Sequence, residues 1–465
     1  MSSVVTLFRH HIHLSSIVQV LFEGALLFAV VALVLMNGPY GQHAGLAAVL
    51  APALSFMVIM LAANAAFGLY SSDRRIGVGS LVLRLLCAVV IGMLVTSIVF
   101  RFFPSEPGQL NGALIAGLMA GMLSTLLSRT ALVPRLATSI AAHRILVLGV
   151  SEQARSAELA IEQSGIKGIE IVGFAKSRTD ETQSVSSQRV FGADRPLTQL
   201  TRQLGVAEII IAVKEQRGGA IAMDELLACR LRGIRVTPLA DFLERTRGAV
   251  PLGSFNASWL VYGDGFSQGR LRSIVKRGFD ILVSGALLVA AAPIMLVTAV
   301  LIRLESAGGV IYRQQRVGRG SDLFDVLKFR SMAQDAEKDG KPRWAAVGDS
   351  RVTRIGRFIR RTRIDELPQL LNVLRGEMSF VGPRPERPFF VEQLTREIPF
   401  YGLRHSVKPG ITGWAQVRYS YGATVEDAAK KLEYDLYYVK NHSLFLDLVV
   451  LLETVRVVIF GEGVR

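Results

Sequence analysis

Long uninterrupted apolar runs mark the first part of the chain. Four such runs cover residues 17–36, 44–69, 79–103 and 112–133. Each is long enough to cross about 30 Å of hydrocarbon as a helix. Because helices satisfy their own backbone hydrogen bonds in lipid, the pattern predicts a four-helix transmembrane domain over residues 1–140.

Positive charges between these runs predict their orientation. Arg74 and Arg75 lie between the second and third runs and Arg129 closes the fourth, whereas residues 37–43 carry no Lys or Arg. Basic residues mark cytoplasmic loops, so both ends of the bundle are expected in the cytoplasm. Arg84, inside the third run, is expected near the interface with its side chain extended towards water, rather than in a functional site.

From residue 141 the pattern changes to short β-rich runs that alternate with polar, helix-like stretches. The runs read "RILVLGV", "IEIVGF", "AEIIIAV" and "IRVTPL". This alternation predicts an α/β, Rossmann-like (CoA-binding-like) domain with a parallel sheet over residues 141–245. The first strand ends at Gly149, but "VSEQA" follows and lacks the other glycines of a dinucleotide fingerprint, which argues against nucleotide binding there. The Ser/Thr/Gln-rich residues 177–188 predict a flexible surface loop.

A linker and a fifth apolar run come next. Residues 246–272 are rich in Gly, Arg and Ser and predict the linker. The fifth run, residues 281–302, has basic residues on both flanks and contains Pro293, which is expected to kink a helix. Since both flanks carry the cytoplasmic signal, a re-entrant helix over about residues 279–303 is favoured over a fifth spanning helix.

Composition agrees with a protein of the membrane surface. The chain has 465 residues, is 50% hydrophobic and carries a formal net charge of +15. Such a balance favours anionic partners at a lipid bilayer, and no nucleic-acid partner is expected. Cys87 and Cys229 do not form a disulfide framework, and no Cys or His spacing suggests a metal site, so both are expected to be inert thiols.

The candidate chemistry lies in the last third, where arginines precede an acidic pair. Arginines recur at every third position of residues 351–360, with apolar residues between them, which is typical of a basic helix on a bilayer surface. Asp365 and Glu366 follow. On a helix they would point about 100° apart, so one carboxylate could face a reacting phosphorus while the other holds a cation. An ion pair with Arg361 or Arg363 is the alternative interpretation.

Four motifs carry a resemblance to a known family. They are "KFRSM" (328–332), "DELPQLLNVLRGEMSFVGPRP" (365–385), "LRHSVKPGITGWAQV" (403–417) and "EYDLYYVKNHSLFLDL" (433–448). In this order they resemble the bacterial polyprenyl-phosphate phosphoglycosyl transferases, which start exopolysaccharide and O-antigen assembly. The resemblance is specific over residues 273–465. The whole chain is similar to the large subclass, which includes undecaprenyl-phosphate glucose and galactose phosphotransferases.

The resemblance implies a reaction, its location and a set of site residues. A UDP-sugar would donate its sugar-1-phosphate to undecaprenyl phosphate on the cytoplasmic face of the bacterial inner membrane, releasing UMP through a covalent phospho-aspartate intermediate. Asp365 would be the nucleophile, and Glu366 would help to hold Mg²⁺. Six basic residues would meet phosphates: Lys328, Arg330, Arg360, Arg384, Arg404 and Lys408. The sugar is not determined, although glucose is favoured by analogy.

Other motif residues have two interpretations each. Gly410 and Gly413 either form turns or let backbone amides approach a ligand. Trp414 either packs near the nucleotide or anchors the domain at the membrane interface. At the level of function, the alternatives are a catalytically inactive scaffold of polysaccharide export and a nucleotide-sensing regulator. A homodimer through the α/β domain or the bundle also stays open.

Overall fold

A computed structural model divides the chain into two compact units, Met1–Gly248 and Ala249–Arg465. The residues that it describes are 4–7, 10–37, 46–70, 78–102, 111–128, 143–164, 169–177, 183–185, 189–213, 223–254, 269–332, 351–419, 422 and 424–460.

The first unit begins with a short hairpin and four apolar helices. The hairpin strands are antiparallel, β1 (Val4–Leu7) and β2 (His10–His13). The helices are α1 (Leu14–Asn37), α2 (Leu46–Ala66), α3 (Val78–Phe100) and α4 (Asn111–Leu127). By length and hydropathy α1, α2 and α3 can cross a membrane, whereas α4 is shorter. The prediction of apolar membrane helices is confirmed, and the end of the fourth predicted run, like Arg74, Arg75 and Arg129, lies outside the described residues.

A buried carboxylate joins three regions of this bundle. Glu23 of α1 has no exposed surface. Its Oε1 accepts hydrogen bonds from Gln19 Nε2 at 2.9 Å and Ser128 Oγ at 2.6 Å, and its Oε2 accepts one from the Tyr70 hydroxyl at 2.7 Å. Arg84 is also covered by protein, with 5% of its surface exposed, so the predicted extension of its side chain towards water is not observed.

The remainder of the first unit is a parallel sheet between two layers of helices. The strands are β3 (His143–Leu148), β4 (Ile169–Ala175), β5 (Val190–Phe191), β6 (Glu208–Ile211) and β7 (Arg235–Pro238), in the order β5-β4-β3-β6-β7. The helices are α5 (Glu152–Ser164), α6 (Leu197–Gln203), α7 (Met223–Leu231) and α8 (Leu239–Arg247). The chain thus contains the α/β region that the alternating pattern predicts.

Alternation along β3 explains the two layers. Ile145 and Val147 face the core that contains α5 and α8, while Leu146 and Leu148 face the core that contains α6 and α7. Gly149 ends the strand with a φ of 118°, where a side chain would meet the carbonyl of Ala212. Close packing of the backbone therefore explains why position 149 requires a glycine.

The structure bears on two further sequence features of the first unit, the predicted surface loop and Cys229. Of the predicted surface loop, residues 183–185 and Ser177 are described, and Val185 is buried in the core of the sheet. Cys229 is buried and its thiol pKa is raised by burial, in keeping with an inert thiol.

The second unit begins at Ala249, upstream of the domain start that the motifs suggest. Residues 239–247 are helical and end at Gly248 in the left-handed conformation, so part of the predicted linker belongs to α8. Val250 and Leu252 then pack against the core of the second unit, and their amides donate to Glu433. Residues 255–268 lie outside the described part of the chain.

The second unit contains seven α-helices and four strands within its described residues. The helices are α9 (Arg270–Glu305), α10 (Arg354–Arg361), α11 (Gln369–Arg375), α12 (Pro388–Glu397), α13 (Trp414–Arg418), α14 (Val425–Asn441) and α15 (Leu444–Phe460). The strands are β8 (Ile311–Val317) and β9 (Leu323–Phe329), which are antiparallel, and β10 (Ser379–Val381) and β11 (Gly410–Thr412), which are parallel. Its largest core lies among β10, α12, α13, α14 and α15.

The predicted membrane helix is longer than its apolar run. Helix α9 also includes residues 270–278 and passes through Pro293 without interruption. Its apolar middle, residues 285–297, contains no buried residue and includes Val289 at 77% exposed. The four buried residues of α9 are Asp280, Ser284, Thr298 and Ile302. The second unit therefore covers α9 on either side of this middle segment.

Candidate active site

The acidic pair lies on one tight turn between two helices. Helix α10 ends before Arg363, which adopts a left-handed conformation with a φ of 59°. Residues Ile364–Glu366 then form a single 3₁₀ turn, and Pro368 precedes α11. The expected placement of the pair on an α-helix is wrong, because the left-handed residue follows the end of α10 and precedes the pair. In a 3₁₀ turn successive side chains point about 120° apart, so the two carboxylates still face different surroundings.

Three cations surround the carboxylate of Glu366. Its Oε1 lies 3.1 Å from Arg384 Nη2, 3.3 Å from Lys328 Nζ and 3.7 Å from Arg363 Nη1. Glu366 is 9% exposed and Asp365 is 8% exposed, so both carboxylates are buried. Asp365 is different, because its Oδ1 is buried without a hydrogen-bond partner.

These surroundings separate the pKa values of the pair. Burial, followed by the charge of Glu366, raises the pKa of Asp365 to about 6. Burial acts on Glu366 in the same direction, but Lys328, Arg384 and Arg363 outweigh it and hold the pKa of Glu366 well below its usual range. Neighbouring acids with pKa values moved apart are typical of sites in which each carboxyl group has its own role.

Lys328 and Arg384 come from two different elements. Lys328 lies on β9, and burial lowers its ammonium pKa. Arg384 follows β10 in the segment Gly382–Pro385, beside a narrow cleft. The lining of that cleft is Val317, Gly318, Pro383, Arg384, Pro385, Arg404, His405, Val407 and Pro409.

Arg330 and Arg360 were both expected to contact phosphates, but the structure places them differently. Arg330 donates to the carbonyls of Ser306 and Ala307, each at 2.8 Å, and so binds the end of α9. Arg360 lies on the last turn of α10 and is partly buried. Its charge lowers the pKa of Asp365, opposing burial, so Arg360 acts on the acidic pair through its electrostatic field.

Arg404 and Lys408 are also separated from Glu366. Arg404 is 6% exposed and is bound to Asp435 Oδ2 at 2.8 Å and to the Tyr401 hydroxyl at 2.5 Å. Its Nη2 also donates to the carbonyl of Arg384 at 2.8 Å, so Arg404 supports the Arg384 backbone. Lys408 is partly buried, and its pKa is lowered by burial and by the nearby charges of Arg277 and Arg319.

The glycines and Trp414 pack inside the protein. A side chain on Gly410 or Gly413 would overlap the backbone of Gly382, so these glycines allow two segments to approach each other. Trp414 is 2% exposed and stacks on Tyr437 with ring centroids 5.8 Å apart. This burial contradicts an anchor at the membrane interface, whereas the packing of Trp414 near a nucleotide stays a prediction.

Arg363 and Asp280 carry roles that the motifs did not suggest. Arg363 was expected only as a surface ion-pair partner, yet its left-handed backbone conformation begins the turn that carries the acidic pair. Asp280 of α9 is buried and binds β10, as its Oδ1 accepts from the Phe380 amide at 3.1 Å. The one sequence signal for Asp280 is an acid beside an apolar membrane run.

The acidic pair has the chemistry that Mg²⁺ prefers. Mg²⁺ is commonly bound by one or two carboxylates together with substrate phosphates and water. Asp365 Oδ1 has no partner, and all three cations around Glu366 contact Oε1. Within the described residues no group of three or more His, Cys, Asp or Glu side chains is arranged to hold a metal. Among the described His, Cys, Asp and Glu side chains, the acidic pair would thus supply the ligands of a metal here.

Comparison with known proteins identifies the family of this chain. Residues 271–461 match the model of the bacterial sugar transferase family. A UDP-glucose:undecaprenyl-phosphate glucose-1-phosphate transferase of Caulobacter vibrioides is 44% identical over 183 residues, which are 39% of this chain and 68% of that relative. The chain belongs to the bacterial sugar transferase family. Its acidic pair, Lys328 and Arg384 all lie inside the matched region.

Two further relatives of this sugar transferase match over different lengths. A UDP-N-acetylgalactosamine-undecaprenyl-phosphate N-acetylgalactosaminephosphotransferase of Aeromonas hydrophila is 45% identical over 240 residues, 52% of this chain and 56% of the relative. An undecaprenyl-phosphate glucose phosphotransferase of Komagataeibacter xylinus is 46% identical over 193 residues, 40% of this chain and 36% of the relative. The chain thus spans about half or less of the length of these two relatives.

Proposed function

We propose that this sugar transferase moves a sugar-1-phosphate from a UDP-sugar to undecaprenyl phosphate and releases UMP. The observation that carries the proposal is the acidic pair: a buried Asp365 with a raised pKa and an unpartnered oxygen beside a Glu366 that three cations keep ionised. The names of the relatives supply the two substrates.

In the first half of the reaction Asp365 acts as the nucleophile. One of its carboxylate oxygens attacks the β-phosphorus of the UDP-sugar, and the bond from that phosphorus to the bridging oxygen breaks, so that UMP leaves. Lys328, Arg363 and Arg384 offset the negative charge of the diphosphate, and Arg384 is suited to bind two phosphate oxygens at once. Mg²⁺, held by Glu366, would polarise the phosphoryl oxygens when bound.

In the second half undecaprenyl phosphate regenerates Asp365. A phosphate oxygen of the lipid attacks the same phosphorus, the bond to the Asp365 oxygen breaks, and undecaprenyl-diphosphate-sugar is released. The polyprenyl chain stays in the bilayer, because exposing it to water would cost about 0.8 kcal/mol for each CH₂ group. The site must therefore lie at the membrane surface.

The attachments of α9 support a re-entrant helix that brings the site to that surface. At one end Arg277 donates to the carbonyls of Val373 and Leu374 of α11. At the other end Ile302 packs against Phe329 of β9. Strand β9 and α11 are themselves bound together, since Asn372 Oδ1 accepts from the Leu327 amide at 3.0 Å.

It follows that both ends of α9 belong on one side of the bilayer. A helix that crossed about 30 Å of hydrocarbon would place its ends on opposite faces, yet the elements that bind those ends are hydrogen-bonded to each other. The exposed apolar middle of α9 then enters the lipid and returns. With the basic flanks of α9 taken as the cytoplasmic signal, the site faces the cytoplasm of the bacterial inner membrane.

UMP release tests this function. The full-length protein in lipid nanodiscs is given undecaprenyl phosphate, Mg²⁺ and, in turn, UDP-glucose, UDP-galactose and UDP-N-acetylgalactosamine. We expect UMP release with at least one donor. When undecaprenyl phosphate is omitted, release should stop after a single turnover, because Asp365 is then not regenerated. Asp365→Asn should abolish release and the covalent phosphosugar. No release with any UDP-sugar would favour the inactive scaffold.

A further inference from the structure

Asp280, a buried acid of α9, is bound to strand β10, which precedes Arg384. We propose that Asp280 of α9 is a positioning residue that holds Arg384 against Glu366 by fixing strand β10. The effect on turnover rests on the proposed function, whereas the structural link does not. Asp280 itself touches no group of the acidic pair among the contacts of the described residues.

A cluster of buried polar groups surrounds Asp280. We call it the anchor cluster, and it consists of Lys276, Asp280, Ser379, Tyr438 and Asp447. Lys276 Nζ lies 3.3 Å from Asp280 Oδ1 and 2.8 Å from Asp447 Oδ2. The Tyr438 hydroxyl lies 2.7 Å from Asp447 Oδ1. Asp280 and Asp447 are 2% and 1% exposed, so water does not compete with these contacts.

The anchor cluster binds three consecutive residues of β10. Asp280 Oδ1 accepts from Ser379 Oγ and from the Phe380 amide, each at 3.1 Å. The Val381 carbonyl lies 2.9 Å from the Tyr438 hydroxyl. Because β10 also pairs with β11, the amides of Ser379 and Gly382 are satisfied by that strand, and the Phe380 amide depends on Asp280.

The chain between β10 and Arg384 is short and stiff. Gly382 and Pro383 are the two intervening residues, and proline fixes its own φ. Gly382 packs against the backbone of Gly410, and Arg404 holds the Arg384 carbonyl from the other side. A shift of β10 would therefore be passed to the Arg384 guanidinium, which lies 3.1 Å from Glu366 Oε1.

Removal of Asp280 is expected to act through its hydrogen bonds rather than through its charge. Two buried carboxylates contact the single ammonium of Lys276, so Asp447 still pairs with Lys276 when Asp280 is neutralised. Asp280→Asn retains an oxygen that can accept from the Phe380 amide. Asp280→Ala removes that acceptor and leaves a buried amide unpaired, which β10 can relieve only by moving.

Kinetics with a double-mutant cycle test the functional part. UMP release per folded molecule is measured in nanodiscs for Asp280→Ala, Arg384→Ala and the double variant. We expect Asp280→Ala to lower kcat on the order of 10²-fold, the size of effect that a misplaced group about 1 Å from its position produces. Asp280→Asn should recover most of the loss. Because Asp280 acts through Arg384, Asp280→Ala should add little to Arg384→Ala.

A matched control separates positioning from stability. Glu433 also accepts from a backbone amide, that of Leu252, on a segment that carries no site residue. Glu433→Ala should reduce thermal stability and leave kcat per folded molecule unchanged. The proposal is overturned if Asp280→Ala behaves in the same way, or if its loss of kcat is fully additive with that of Arg384→Ala.

Hydrogen exchange tests the link without any turnover. In Asp280→Ala the Phe380 amide should exchange much faster than in the wild-type protein, while Asp280→Asn and Glu433→Ala leave it protected. Unchanged protection of Phe380 in Asp280→Ala overturns the link, whatever the activity. If the wild-type protein releases no UMP while Asp280→Ala still shows faster exchange at Phe380, the proposed function alone is overturned. If Asp280→Ala does not fold, Ser379→Ala, which removes one contact to Asp280, serves in both experiments.

Discussion

Asp365 and Glu366 are neighbours in sequence, yet their surroundings move their pKa values in opposite directions. Burial dominates at Asp365, whose Oδ1 has no partner, and three cations dominate at Glu366. The ionised form of Asp365 is thus held at a higher free energy than in water. Such a carboxylate is a better nucleophile, because the reaction removes its buried charge.

The pKa of Asp365 predicts an acid limb in the pH dependence of activity. The carboxyl group must be ionised to attack, so kcat/KM should fall about tenfold for each pH unit below a pKa of about 6. The measurement is UMP release between pH 5 and 8 under conditions where the protein stays folded. An acid limb with a midpoint near pH 4, the ordinary value for an aspartate, would contradict this assignment.

Replacement of each acid by its amide should change stability with opposite signs. The folded-state pKa of Asp365 is raised, so its stabilising, protonated form is lost as pH rises through about 6, and Asp365→Asn should raise Tm at pH 7.5. The pKa of Glu366 is depressed, so its ionised form stabilises the fold at that pH, and Glu366→Gln should lower Tm. Thermal unfolding of both variants at pH 7.5 is the measurement. Equal shifts of the same sign would contradict the described surroundings.

The sequence predicted residue types at the site better than their partners. Asp365, Glu366, Lys328 and Arg384 were predicted and do lie together. Arg404 belongs to the same motifs, but its partner Asp435 is on α14, and a sequence does not show which distant acid a buried arginine will meet.

At the scale of elements, β10 and β11 depend on glycines that permit contact between backbones. Gly382 follows β10 directly and Gly410 begins β11, and a side chain on Gly410 would overlap Gly382. Since β10 carries the chain to Arg384, this contact connects strand packing to the site. The sequence suggested turns or a ligand contact at Gly410, because a glycine alone does not identify the atoms that approach it.

Gly410→Ala should impair both stability and turnover. The added carbon forces β10 and β11 apart, an effect that costs about 1 to 3 kcal/mol when extra volume enters a packed core. The free energy of unfolding and kcat of the folded fraction should both decrease. Gly402→Ala is a suitable control, since a side chain at Gly402 meets no atom within 4 Å. A Gly410→Ala protein as stable as the control would refute the close approach.

In the bundle, the buried Glu23 should contribute to helix association. Tyr70→Phe removes the hydroxyl that donates to Glu23 Oε2, at an expected cost of about 1 kcal/mol. Unfolding of the full-length protein in mild detergent would measure the loss. Ser55→Ala, which removes a hydrogen bond within one helix, should have a smaller effect. Equal losses would argue against a joining role for Glu23.

Element boundaries were predicted less well than element types. Apolar runs identified α1, α2 and α3 because a run of about twenty apolar residues has few alternatives to a membrane-spanning helix. The start of α9 was missed since residues 270–278 are polar and helical, and their helix is stabilised by contacts with α11 and α15. The predicted linker ended at residue 272 and the predicted helix began at about residue 279, whereas tertiary contacts maintain a helix from Arg270.

At the scale of the whole molecule, the site and the membrane helix belong to one unit. The acidic pair, its cations and α9 all lie within Ala249–Arg465, which has its own hydrophobic core.

Residues 249–465 should therefore retain UMP release when produced alone in lipid nanodiscs. We expect a kcat close to that of the full chain, because no described contact of the acidic pair comes from residues before Ala249. An Asp365→Asn version of the same fragment is the control. A well-folded fragment without activity would show that the first unit contributes to catalysis.

The attachment of α9 at both ends has a consequence for the lipid around it. The apolar middle of a re-entrant helix that is fixed at two points of one unit can reach only a set depth into the bilayer. Such a helix cannot tilt freely to match a thicker or thinner leaflet. A difference between this depth and the leaflet thickness would then strain the contacts at the two ends of α9, including those of Asp280 with β10 and of Arg330 with the Ser306 carbonyl. Acyl-chain length is therefore expected to change the fit between Arg384 and the acidic pair.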